Sequence, residues 1–247
     1  MNGRALLRIF GLVLLLLVLG PVHVITRTCF GRSGWPRRFL AAAAWIVGAR
    51  VHLKGRRIGK HALLISNHVT WIDILVLGGS TGCAFVSKDE LGHPLIHWLA
   101  DQNGTVYVKR TNRKGARDQA AAISQALERG KPVALFPEGT TGPGDRLLPF
   151  RSTLLAAAAA APIDISIRPV ALDYGKAAGE ISSWEEAGRN NILRLLGRPG
   201  TLAVTVNLLE PLERAGDRKQ LAHDAREAIA CRLGLTSPHH SPIGDDK

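Results

Sequence analysis

At 247 residues the chain has room for one domain plus a membrane-attachment segment, and two full domains would be cramped. An apolar fraction of 46% supplies a core and excludes global disorder. The formal net charge of +12 calls for an anionic partner, whether nucleic acid, an anionic membrane or an acidic substrate. Aromatics at 5% and scattered Lys and Arg argue against nucleic acid, and much of the charge reads as a solvated basic surface. Cys29, Cys83 and Cys231 are odd in number and far apart, which rules out a disulfide framework and gives no metal-ligand spacing.

The first element runs from Ile9 to Ile25, an apolar stretch interrupted only by Gly11, Gly20, Pro21 and His23. Arg4 and Arg8 precede it; Arg27, Arg32, Arg37 and Arg38 follow. A cleaved signal peptide has the same basic start and apolar middle, but no clean small-x-small site comes before Arg27, so an anchor is expected. The stretch falls slightly short of the ~20 residues a spanning helix needs, leaving spanning and lying at one leaflet both open. The segment Phe39–Val47 is too short to span alone and is expected to pair with the first as a helical hairpin. Residues 1–48 are thus the membrane-anchoring helical segment, 49–236 one domain, and 237–247 a flexible tail. The excess of basic residues after the anchor places that domain on the cytoplasmic side.

The domain alternates short apolar runs with helical stretches. Strands are expected at Ala62–Ser66, Ala84–Ser87, Thr105–Val108, Pro132–Phe136, Ile165–Leu172 and Thr201–Leu209. Helices are expected at Ile72–Gly78, Pro94–Ala100, Lys114–Arg129, Thr153–Ala161 and Arg218–Leu233. This is an α/β pattern, a mixed sheet flanked by helices, with an N-terminal membrane-attached helix or helical hairpin. His68, Arg110 and Glu138 each sit just past a strand, where ligands bind in such sheets, so they can gather at one sheet edge.

Asn67-His68-Val69-Thr70-Trp71-Ile72-Asp73 puts His and Asp on either side of a strand-to-helix turn. With Asp73 in the first helical turn, its carboxylate can reach the imidazole and leave the other ring nitrogen free to take a proton. No serine sits in a Gly-x-Ser-x-Gly elbow, so the nucleophile is expected to be the substrate's own hydroxyl. The bland alternative is a helix-capping His beside a salt-bridged Asp. Gly104-Thr105-Val106-Tyr107-Val108-Lys109-Arg110 delivers Arg110, whose planar fork suits a phosphate. Phe136-Pro137-Glu138-Gly139-Thr140-Thr141-Gly142 ends a strand in a Gly-rich loop whose backbone N–H groups can cradle an anion. A plain basic strand end and a plain surface turn are the alternatives for these two.

Taken together and in this order, these motifs resemble the glycerolipid acyltransferase family, best known for 1-acylglycerol-3-phosphate acyltransferases. The residues that carry the resemblance are Asn67–Asp73, Gly104–Arg110, Phe136–Thr140 and Arg168-Pro169-Val170, with Val86–Leu91 similar to a Lys-x-Glu-Leu stretch between the first two. The resemblance implies that His68 deprotonates the acceptor hydroxyl and Asp73 orients it. It gives substrate binding to Arg110, Glu138, Gly139 and Thr140, and pocket shape to Pro169. It implies acyl-CoA or acyl carrier protein as co-substrate, a lysolipid acceptor, membrane lipids as surroundings and no metal or bound cofactor. The place implied is the inner (cytoplasmic) membrane. The acceptor expected first is 1-acylglycerol-3-phosphate, giving phosphatidic acid. Thr141, standing where such enzymes often carry Arg, fits lyso-ornithine lipid at least as well, and Arg146 or Arg151 are candidates for the missing charge. A non-catalytic basic membrane-binding protein is the alternative of another class, and a serine hydrolase is disfavoured by the absent elbow.

Overall fold

A computed structural model describes residues 2–31, 33–88, 93–108, 121, 123–127, 130–156, 165–213 and 217–235. The chain opens with helix α1 (Gly3–Phe30), whose N-cap Asn2 accepts the Ala5 amide and which ends at left-handed Gly31. It runs straight through the expected apolar stretch and past it, carrying Pro21 inside. Helix α2 (Trp35–Ile46) folds back against it, so the two form the expected hairpin.

A seven-stranded sheet follows, in the order β1-β7-β6-β2-β5-β3-β4. The strands are β1 (Ala49–Lys54), β2 (Ala62–Ser66), β3 (Ala84–Lys88), β4 (Val106–Val108), β5 (Val133–Leu135), β6 (Ser166–Asp173) and β7 (Leu202–Leu208). All neighbours are parallel except β6 and β7, so the sheet is mixed. Helices α3 (Ile72–Thr81), α4 (Pro94–Gln102), α5 (Ala178–Ile181), α6 (Gly188–Gly197) and α7 (Arg218–Leu233) complete it.

The period of two along β2 divides the core. Leu63 and Ile65 face one cluster with Leu221, Ala225 and Ile229 of α7, whereas Ala62 and Leu64 face another with Ile72, Val76 and Leu77 of α3. Because both faces are covered, β2 is buried along its whole length, as its unbroken apolar run anticipates. Helix α2 lies on α3 at close range: a Cβ on Gly79 would meet the Ala41 backbone at 2.7 Å. The hairpin is therefore packed onto the domain. Helix α1 is tied there at both ends. Asn2 Nδ2 donates to Gly197 O, and the Arg8 guanidinium caps the α6 C-terminus on the carbonyls of Leu195, Leu196 and Arg198. At the far end His23 and Arg27 both meet Gln102 of α4.

Several expected boundaries move. β4 begins at Val106 and β5 spans only Val133–Leu135. The Lys114–Arg129 helix is described only at residues 121 and 123–127, which are helical. Of Thr153–Ala161, the described start is a 3-10 turn, Ser152–Leu155, and 157–164 lie outside the described residues, as does the tail from 236. Helix α6 has no counterpart in the sequence reading, because its first turn is Gly-Arg-Asn-Asn and its apolar stripe is short.

Candidate active site

Beyond Ser66, β2 and β6 part, and the Asn67 side chain continues the ladder. Its Nδ2 donates to Leu172 O at 3.0 Å and its Oδ1 accepts Leu172 N–H at 2.8 Å. This fixes the residue that follows. The His68 N–H donates to Glu138 Oε1 at 2.8 Å, and His68 O accepts the Gly142 N–H at 2.6 Å. Both backbone groups of His68 are thus held by the loop after β5.

The imidazole is held as firmly. Nδ1 lies 2.8 Å from Asp73 Oδ2, and the ring stacks on Phe136 with centroids 4.1 Å apart. The same Oδ2 accepts the amides of Val69 at 2.6 Å and Thr70 at 3.0 Å, so the first turn of α3 closes on its own carboxylate. Oδ1 accepts the Tyr174 hydroxyl at 2.5 Å. Asp73 is fully buried, and four donors offset the cost of burying its charge. Burial and the facing Asp73 carboxylate push the Tyr174 hydroxyl well above its usual range, keeping it a donor. With Nδ1 on the carboxylate, Nε2 is left without a partner among the described residues, and His68 lines a cleft of about 140 Å³. This is a base-and-orienter pair with an unfilled position in front of it.

Glu138 forms the other wall. Its Oε2 accepts the Leu148 amide at 3.0 Å while Oε1 holds His68, so one buried carboxylate joins the two loops. Burial outweighs those two amide bonds and raises its acid to about 7. Gly139 turns the chain at φ 74°, and a Cβ there would sit 3.2 Å from the Arg151 guanidinium carbon.

The structure brings His68, Asp73, Glu138 and Gly139 together at one sheet edge. Thr140 is exposed at the loop tip and does not line the cleft. Arg110 lies outside the described residues, as does 89–91 of the Lys-x-Glu-Leu stretch. The amides of Gly139 and Gly142 do not cradle an anion, because they already donate to Phe136 O and His68 O. Pro169 is buried in mid-strand opposite Ile65 and is not among the residues lining the cleft. Arg146 does line the cleft, exposed and 3.3 Å from Asp145. Among the described residues no cluster of His, Cys, Asp or Glu is arranged to hold a metal. The sequence reading missed Tyr174 and the stacking role of Phe136. Tyr174 directly follows β6, a strand-end position, but it lies 101 residues from its partner and no local spacing reveals the pair.

Residues 49–173 match the family model described as Acyltransferase. The chain is 32% identical to the lyso-ornithine lipid O-acyltransferase of Pseudomonas aeruginosa, over 83% of this chain and 79% of that one. It is 32% identical to the 1-acyl-sn-glycerol-3-phosphate acyltransferase of Neisseria gonorrhoeae, over 57% of this chain and 54% of that one. Its fold is similar to that of the 1-acyl-sn-glycerophosphate (LPA) acyltransferase PlsC from Thermotoga maritima, with a TM-score of 0.70 at 20% identity, covering 94% of this chain and 93% of that one.

Proposed function

This chain belongs to the acyltransferase family, and from that premise we propose that it moves a fatty acyl group from a thioester to the free hydroxyl of a lysolipid with His68 as general base. The observation that supports this most is the His68 imidazole, braced through Nδ1 on Asp73, with Nε2 unpartnered among the described residues and the residue lining the cleft. Nε2 takes the proton of the acceptor hydroxyl as its oxygen attacks the thioester carbonyl. The tetrahedral intermediate collapses, the C–S bond breaks, and the imidazolium returns the proton to the leaving thiolate. The products are an ester and a free thiol. Asp73 holds the ring and stabilises its charged form, while Tyr174 and the two amides hold Asp73. Glu138 sets the His68 backbone. A thioester is already activated, so this route requires neither a metal nor a bound cofactor; acyl-CoA or acyl carrier protein is the donor.

Lyso-ornithine lipid is the acceptor favoured here, with 1-acylglycerol-3-phosphate second. The relatives named for the first match 82–85% of this chain in three cases, against 57% and 56% for two named for the second. Thr141 in place of a cation points the same way. Arg110 is retained as a headgroup contact on the strength of its motif alone.

The protein works at a membrane. Because α1 is tied to α6 at its start and to α4 near its end, its length of about 42 Å lies along the domain, which favours one leaflet over a span. The basic residues after it favour a domain on the cytoplasmic face.

The test is turnover of purified protein in detergent-lipid micelles with acyl-CoA or acyl carrier protein and both lysolipids, against His68→Ala. We expect a loss on the order of 100-fold or more in the variant. Unchanged turnover would remove His68 as the base, and a preference for the phosphate-bearing acceptor would reverse the order of substrates.

A further inference from the structure

We propose that Ser182 is a positioning residue for the reaction, its hydroxyl holding the loop after β5 against the His68 turn; this deepens the reading of His68 as general base and rests on it. Ser182 falls in none of the motifs that the sequence singles out. Its hydroxyl donates to Gly142 O at 2.8 Å, and the Gly142 N–H donates in turn to His68 O at 2.6 Å. Gly142 is therefore held from both sides, and it lines the cleft with His68. There is no slack at this point: a Cβ on Gly142 would sit 2.8 Å from Glu138 Oε2 and 3.5 Å from His68 O. A small displacement of Gly142 is felt by both Glu138 and His68. Ser182 is buried, so bulk water does not replace its donor.

The next residue reaches the other wall. The Ser183 N–H donates to Val69 O at 3.1 Å, and the Val69 N–H is one of the two amides on Asp73. Residues 182 and 183 so bridge the loop after β5 and the turn after β2. A hydroxyl has one proton to give. A serine that only shapes its own turn needs no more than to accept an amide two residues on, as Ser182 does from Trp184 at 2.9 Å. Here the proton is spent across 40 residues, on Gly142.

The bridge is itself fixed from α6. Asn191, fully buried, donates to Ser182 O at 2.9 Å and to Glu186 Oε2 at 2.8 Å, and accepts the Thr70 hydroxyl at 3.4 Å. Arg194 Nη2 adds a second bond to Ser182 O at 3.0 Å and one to Glu186 Oε2 at 2.7 Å. The turn so held contains Glu185 at φ 58°, a conformation that a non-glycine residue adopts at a cost and keeps where its surroundings fix it. A hydroxyl on a mobile loop could not set the place of Gly142. One carried by a turn that two side chains of α6 hold can.

The experiment compares four full-length proteins in detergent-lipid micelles: wild type, Ser182→Ala, His68→Ala and the double variant. Each is given the lysolipid that the wild type turns over, with palmitoyl-CoA or palmitoyl-acyl carrier protein radiolabelled in the acyl group so that residual turnover is measured. Ser182→Ala is expected to lower kcat about three- to tenfold. KM is expected to stay within about twofold, because Ser182 is not among the residues lining the cleft. On top of His68→Ala the same change should cost less than about twofold, since the group it positions is gone. An unchanged kcat in Ser182→Ala, a loss seen in KM alone, or an equal loss in both backgrounds overturns the proposal and leaves His68 as the base. If His68→Ala itself keeps wild-type turnover, the general-base reading fails and takes this one with it. Should a melting scan show Ser182→Ala to be unfolded, Ser182→Cys, a weaker donor of similar size, is read in its place by the same criteria.

Discussion

Replacing Tyr174 by Phe removes one oxygen and keeps the buried ring. That oxygen has Asp73 Oδ1 as its partner at 2.5 Å, and Asp73 is fully enclosed, so no water replaces the lost donor. The other donors, His68 Nδ1 and the amides of Val69 and Thr70, all crowd onto Oδ2, which leaves Oδ1 bare. A hydrogen bond to a buried charge contributes about 1.5–3 kcal/mol. If that stabilisation holds Asp73 against His68 in the transition state, kcat falls about ten- to a hundredfold. In the proposed mechanism acceptor and donor meet His68 in the cleft rather than Asp73 Oδ1, so KM is expected to stay within about twofold. Steady-state turnover of wild type, Tyr174→Phe, Asp73→Asn and the double variant completes a cycle. In the Asp73→Asn background the charged acceptor is gone, and the further loss from Tyr174→Phe should be small. Equal losses in both backgrounds, or an unchanged kcat with a raised KM, would refute the positioning role and leave Tyr174 a packing residue.

Glu138 gives a pH signature. Its acid, at about 7 in the fold against an ordinary 4.5, binds a proton there that the unfolded chain releases, so stability falls as pH rises between those values. The difference corresponds to roughly 3 kcal/mol, and denaturant titrations at about pH 4.5 and pH 7.5 should show Glu138→Gln lacking that slope. Gly139→Ala places a Cβ at φ 74° and 3.2 Å from the Arg151 guanidinium, which should cost about 1–2 kcal/mol and lower Tm by several degrees in a melting scan. Asn67→Ala leaves the buried Leu172 N–H and C=O without their partner and should cost about 2–4 kcal/mol in the same scan, with turnover falling alongside because His68 is next in the chain.

Much of this was legible from residue order because the signals are local. The apolar run of β2 marks a strand buried on both faces. The five-residue step from His68 to Asp73 around a strand end is short enough for one turn of helix to close it. The hairpin of α1 and α2 followed from two apolar stretches, the second too short to span. Helix α6 escaped because Gly188, Asn190 and Asn191 open it, and these are residues that ordinarily mark turns; buried Asn191 is held there by the carbonyl of Ser182 and the carboxylate of Glu186.

What sequence alone determined is the pair of chemical groups at 68 and 73, the loop that faces them and the apolar helix in front, since each is written in a stretch of a few residues. What only the tertiary structure decided is how those groups are held. Tyr174 reaches Asp73 across 101 residues, Asn67 reaches Leu172 across 105, and Glu138 turns out to carry the His68 backbone. These contacts exist because β2, β5 and β6 lie side by side and bring their ends to one edge, and strand order is set by packing of the whole chain, which no local spacing encodes.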